Sequence, residues 1–206
     1  MKFNINSPVF TFMGTFADYV LLNCIFLISC IPIITIGPAV TALVSVTMKD
    51  ARGDQPSMIH DYKDAFVQNF KSSFIISIGY FAVGAVLLFS YVFWFQVSSP
   101  LAMVVLVVLT LAGIVYLSSL LYVFALNARF ENTIRQTIKN SVLLAITNVR
   151  QTVFLFLILI VAATLLYTTA IFRIFMLIFG FAFLFYCLSY PIVRVFSPYD
   201  SPEMQE

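Results

Sequence analysis

Charge is what this sequence has least of. Only 10% of its 206 residues are Asp, Glu, Lys or Arg, there is one histidine and one tryptophan, and the formal net charge is +2. So small a charge leaves no electrostatic footprint for nucleic acid, which is not an expected partner. The one histidine, His60, sits in a polar loop, and Asp18 is the one carboxylate in an apolar setting. Enzymatic work in a membrane usually needs paired carboxylates, a histidine-metal cluster or an activated nucleophile, and these residues form no such pattern in the apolar runs. Gly-rich phosphate loops, Walker motifs and histidine-glutamate metalloprotease patterns are missing from the sequence, so it encodes no ATPase of its own. The reading is non-enzymatic, with no catalytic residue, metal ligand or cofactor. Cys24, Cys30 and Cys187 each fall inside an apolar run and read as buried thiols acting as small hydrophobes, not as disulfide partners or metal ligands.

What the chain has in quantity is apolar surface, with 62% hydrophobic residues and a mean hydropathy of +1.02. That is far more than a water-soluble chain of this size can cover, so it is read as an integral membrane protein. Four uncharged runs carry the spans: 30 residues from Tyr19 to Met48, 57 from Ser72 to Ala128, 22 from Gln151 to Phe172 and 20 from Ile174 to Val193. About 20 apolar residues make one helical crossing, so the longest run holds two. The runs are apolar on every face, which favours helices over barrel strands.

The stretch from Asn23 to Leu43 organises the N-terminal part. Pro32 disfavours helix at Ile31, and Gly37-Pro38 supplies a flexible residue followed by a good helix start. Treated as one helix, residues 12–48 would measure about 55 Å, nearly twice the hydrocarbon thickness. A proline-broken hairpin over 12–50 is therefore expected, its short returning arm crossing obliquely or re-entering. A signal peptide ending near Val40-Thr41-Ala42 is disfavoured because that run is too long and twice broken by proline. Asn6-Ser7-Pro8 fits a helix cap.

Two polar segments follow the hairpin pattern. Ile59, Tyr62, Phe66 and Phe70 are spaced as the stripe of an amphipathic helix lying on the membrane surface, and so are Ile134, Ile138, Val142, Ala145 and Val149. Each precedes a pair of spans, giving units 57–127 and 131–196, with turns at Ser98-Ser99-Pro100 and near Arg173 and an acidic tail over 197–206. The likeness of Phe70-Lys71-Ser72-Ser73 to Ile138-Lys139-Asn140-Ser141 suggests an internal repeat, although chance accounts for it equally well. The polar segments hold eight of the eleven basic residues, which places them, and the C-terminus, in the cytoplasm. The fold expected is an all-α polytopic bundle of five to six membrane segments with two cytoplasmic amphipathic surface helices, in a single membrane domain.

Asp18 reads as an interfacial carboxylate or as a proton or cation coupling site. The helix start at Pro38 presents free amides to which an anion or carbonyl oxygen could bind, with Asn23, Thr35 and Thr41 adding hydrogen bonds; the alternative is a proline turn packed closely through Ala39, Ala42 and Ser45. Asp18, Asn23, Pro32, Thr35, Gly37 and Pro38 are thus the structural or ligand-facing candidates. Tyr62, Phe66, Phe70, Lys71 and Lys139 are the candidates for docking a partner. Arg173 and Arg194, at segment ends, read as headgroup anchors.

Leu22-Asn23, the block from Pro32 to Ala39 reading PIITIGPA, Ala42-Leu43, Ala65-Phe66 and Asn69-Phe70-Lys71 together resemble the YesL-like family of bacterial polytopic membrane proteins, a domain of unknown function. The resemblance implies a multi-pass protein of the bacterial plasma membrane linked to carbohydrate uptake, and no catalytic residue. On that basis the chain is expected to be an accessory or regulatory component beside a sugar ABC transporter or its ATPase. A small secondary transporter or channel, as a homo-oligomer, and a membrane sensor or assembly factor are the alternatives.

Overall fold

From Pro8 onward the chain is helical almost throughout. In order come α1 (Pro8–Ser29), a 3-10 turn (Ile33–Thr35), α2 (Ile36–Ala51), α3 (Met58–Phe95), α4 (Pro100–Arg129), α5 (Ile134–Thr147), α6 (Val149–Thr168), α7 (Ala170–Phe175), a π-helical stretch (Met176–Gly180) and α8 (Phe181–Phe196). The computed structural model describes residues 8–199; Lys2, the cap expected at Asn6-Ser7 and the acidic residues from Asp200 lie outside them. Five stretches are long and apolar enough to cross a membrane: Ile33–Ala51, Met58–Phe95, Pro100–Arg129, Val149–Thr168 and Ala170–Tyr199. The 22-residue α1 is a further apolar helix. The chain is an all-α, multi-pass membrane bundle.

The breaks fall where backbone chemistry puts them. α1 stops ahead of Pro32, α2 takes Pro38 into its first turn, and α4 begins on Pro100 after the Ser98-Ser99 turn, a position where the missing amide is no loss. The last break differs from the expected hinge at Arg173. It lies at Thr169, whose extended backbone ends α6, while Arg173 sits within α7 and donates from Nε to Leu166 O and from Nη2 to Tyr167 O, both at 3.0 Å. Those bonds satisfy carbonyls left open at the end of α6.

α3 corrects one expectation. Residues 57–70 form no separate helix lying on the membrane; 38 residues run unbroken from Met58 to Phe95, because no glycine or proline interrupts the segment around Lys71. Its length is about 57 Å, and even a 40° tilt would leave roughly 44 Å along the normal against a hydrocarbon core of about 30 Å. The charged end, Met58 to Lys71, therefore projects beyond the apolar layer. α5 is a separate helix as expected, but it packs on α4 with Thr137, Ser141, Leu144 and Ala145 buried, while Val149 of the anticipated stripe is exposed.

Side-chain pairs fix the register. Lys49 meets Asp61, Thr41 meets Ser73 and Gly37 meets Ser77, so α2 and α3 are antiparallel. Ser73 with Asn127, and Tyr80 with Ser119, set α4 antiparallel to α3. Val40 and Met48 of α2 join a cluster with Leu184, Leu188, Ile192 and Phe196 of α8. The α2 start, level with Ser77, leaves 18 residues of α3 beyond it, about 27 Å. Burial follows the same division: beyond Tyr80 on α3 and before Ser118 on α4 only Ala102 is buried. The packed core thus sits at the basic end of the bundle, around α2, and the far halves of α3 and α4 present their side chains outward.

Candidate functional site

The proline block closes on itself and on α3. Thr35 Oγ1 lies 2.7 Å from both Ser29 O and Pro32 O, tying the turn across the break. Pro32, Ile33 and Ile34 are exposed, whereas Gly37, Pro38 and Ala39 are buried. A β-carbon built on Gly37 would lie 1.6 Å from Ser77 Oγ and 3.0 Å from Ser73 O. At Gly37 the helix start is therefore packed directly against the backbone and short side chains of α3. The glycine is there because only it permits so close an approach.

From that contact a chain of hydrogen bonds crosses three helices. Asn127 Nδ2 donates to Ser73 Oγ at 2.8 Å, Ser73 to Thr41 Oγ1 at 2.8 Å, and Thr41 to Gly37 O at 3.0 Å, all buried. A second cluster joins α3, α4 and α5: Tyr80 bonds Ser119, with Ser141 3.0 Å from Ser119 and 3.2 Å from Tyr80, and Tyr116 donates to Tyr80 O at 2.9 Å. Ser189 of α8 donates to Thr47 of α2 at 2.8 Å, and Tyr122 of α4 meets Thr152 of α6 at 3.0 Å. Among the described residues no carboxylate or imidazole enters these clusters. Apart from Thr41 to Gly37 O, which lies within α2, they are interhelical bonds, each worth on average about 0.6 kcal/mol in a membrane setting.

Asn23 was a candidate for a structural or a ligand-facing role, and its contacts are with backbone inside the bundle. It is fully buried, and its Nδ2 donates to Leu177 O at 2.8 Å and lies 3.4 Å from Met176 O, while its Oδ1 accepts from Ala182 N at 3.1 Å. A π-helical turn carries an extra residue and interrupts the regular bonding ladder; Asn23 satisfies the groups that Met176–Gly180 leaves open. Contacts of Phe16, Tyr19 and Phe26 with Phe179, Phe181, Phe185 and Tyr186 surround it.

The remaining candidates separate. Asp18 is exposed, away from the core; the buried-end carboxylate is instead Asp50, which accepts from Tyr19 Oη. Tyr62, expected to dock a partner, is 1% exposed and belongs to the α1–α2–α3 core. Phe66 is half-buried, Phe70 is 38% exposed, and Lys71 and Lys139 are exposed. Rings of Tyr62, Phe66, Phe70 and Phe74 contact one another successively up α3, stacked at the first and last steps and edge-on between Phe66 and Phe70, so the outward-facing docking candidates rest on a buried base. Cys24 is exposed, contrary to the buried role expected, and Cys30 and Cys187 are half-buried. Among the described residues no group of three His, Cys, Asp or Glu is placed to hold a metal ion.

Sequence reasoning missed the hydroxyl clusters. Their signal was present as Thr, Ser and Asn within runs otherwise apolar, but the partner of each lies on another helix. Nor did it bring Arg150 together with Arg194, although the two line one depression of about 610 Å³ between α6 and α8.

No curated protein and no solved structure matches this chain. Residues 19–91, which contain Asn23, the proline block, Ser73 and Ser77, match the model of a family described as a protein of unknown function, DUF624.

Proposed function

We propose that the protein is an accessory or regulatory subunit, of the YesL-like kind its motifs resemble, acting beside a carbohydrate uptake system in a bacterial plasma membrane, with its basic end and C-terminus in the cytoplasm. The observation supporting this reading is where the polar groups are spent. Asn23, Thr41, Ser73 and Asn127 bond to one another or to backbone within the bundle, whereas Phe70, Lys71 and Lys139 remain exposed at the basic end. An apolar and basic surface at that end suits a cytosolic partner domain such as a transporter's ATPase.

The test is crosslinking followed by mild-detergent purification from cells that co-express a sugar ABC transporter with its ATPase. Co-recovery that is lost in Phe70→Ala/Lys71→Glu is expected. Recovery of the protein alone in every such experiment would overturn the proposal. The reading as a small carrier draws on the π-helical break beside Asn23, since such breaks are frequent at functional sites; sugar flux in proteoliposomes holding this protein alone would favour it.

A further inference from the structure

The groove between α6 and α8 has two parts with different chemistry. At the basic end, Arg150 in the first turn of α6 and Arg194 in the last turn of α8 stand with Gln151 and Tyr190 around a depression of about 610 Å³. Farther along, the same two helices leave an apolar channel of about 700 Å³, bordered by Val161, Leu165, Phe183 and Leu184. Phe154, Leu157 and Tyr190 line both, so the two depressions adjoin along the groove. From Arg150 to Leu165 is 15 residues of helix, about 22 Å, which exceeds the roughly 15 Å of one leaflet's hydrocarbon.

We propose that this groove binds an anionic phospholipid, its phosphate held between Arg150 and Arg194 and one acyl chain lying along α6. Charge complementarity identifies the occupant. Both guanidiniums are exposed and neither has an ion-pair partner among the described residues. Neighbouring arginines are otherwise engaged: Arg173 holds the carbonyls of Leu166 and Tyr167, and Arg129 lies over the rings of Phe130 and Phe196. Two arginines converging beside an apolar channel match a diester phosphate attached to an aliphatic chain, and basic pockets between spans recognise lipid headgroups in this way. Tyr190, bonded through its hydroxyl to Tyr186 at 2.7 Å, stands at the boundary of the two parts, where an amphipathic ring is favoured. The site is independent of the partner-docking surface on α3.

Native mass spectrometry of the full chain released from mild detergent tests this, with 1-palmitoyl-2-oleoyl phosphatidylglycerol and the matching phosphatidylcholine as probes. One phosphatidylglycerol per chain should be retained at least tenfold more tightly than phosphatidylcholine. Arg150→Ala/Arg194→Ala should weaken that retention by about twenty-five-fold, at roughly a factor of five for each basic residue near an anionic headgroup. Lys63→Ala/Arg135→Ala, which removes equal charge elsewhere, should leave it unchanged. Arg150→Lys/Arg194→Lys keeps the charge and should keep the selectivity, which decides the matter if the alanine pair elutes as misfolded protein. Equal retention of the two lipids, unchanged retention in a folded alanine pair, or displacement of the lipid by glycerol 3-phosphate at similar concentration would each overturn the proposal.

Discussion

Gly37 and Ser77 approach so closely that no side chain fits between them: a β-carbon on Gly37 would sit 1.6 Å from Ser77 Oγ and 2.9 Å from Ser77 Cβ. Ser77 Oγ is buried and has no hydrogen-bond partner among the described residues, so bonding does not explain its presence. Gly37→Ala should therefore destabilise the bundle by about 1–3 kcal/mol through overpacking, read as a lower midpoint of thermal unfolding in detergent by fluorescence-detected gel filtration. Ser77→Ala alone should be neutral or mildly stabilising, since it deletes an unpaired hydroxyl. Combined with Gly37→Ala it should recover part of the loss, the residual reflecting the 2.9 Å contact with the remaining β-carbon. A double variant no better than Gly37→Ala would show that α3 is not what limits the site.

Asn23 and the π-helical stretch stand or fall together. Asn23→Leu removes the bonds to Leu177 O and Ala182 N and leaves those backbone groups buried without their partner, at about 1–3 kcal/mol. The expected consequence is local: proteolysis and hydrogen exchange should rise in residues 176–182 before the rest of α8 responds. Protection of that segment unchanged in Asn23→Leu would mean that the π turn is held by its own packing.

The Asn127–Ser73–Thr41 chain predicts a coupling that can be measured separately from packing. Ser73→Ala breaks two bonds at once and should cost about 1–2 kcal/mol, while Thr41→Val, which keeps the shape, should cost less. A double-mutant cycle between Asn127→Ala and Ser73→Ala should return a coupling of about 0.6 kcal/mol. Additive losses would show the two residues to be independent.

The residues explain which parts of this architecture could be read in advance. Proline and glycine act through local backbone geometry, so Pro32, Pro38 and Pro100 marked the true breaks. The entry to α3 was misread because an amphipathic stripe reports only that one face is buried, not what buries it. Tyr62 turned out to face α1 and α2 instead of a membrane surface. Asn23 was singled out from the sequence, yet its partners are 153 residues or more away, and the π turn that needs them has no signature in FMLIFG. Arg194 was read from its segment end as a headgroup anchor, but its pairing with Arg150 was not legible, since only the antiparallel packing of α6 with α8 brings the two into one groove.

Topology offers the most demanding prediction. α2 begins level with Ser77, and α3 continues for 18 residues past that point, about 27 Å or nearly a whole hydrocarbon thickness. If Phe95 lies at the far surface, the turn at Ile33 and Ile34, 81% and 65% exposed, opens onto lipid within the bilayer, and α1 with α2 enters and leaves by the basic end. In a background with Cys24, Cys30 and Cys187 changed to Ser, single cysteines at Ser57 and Asn132 should react with a membrane-impermeant maleimide only from the cytoplasmic side, and one at Ser98 only from outside. A cysteine at Ile34 should react from neither side until detergent is added. Labelling of Ile34 from outside would make α2 a full crossing and α1 another, and labelling of Ser57 and Asn132 from opposite sides would dismantle the antiparallel arrangement of α3 and α4 altogether.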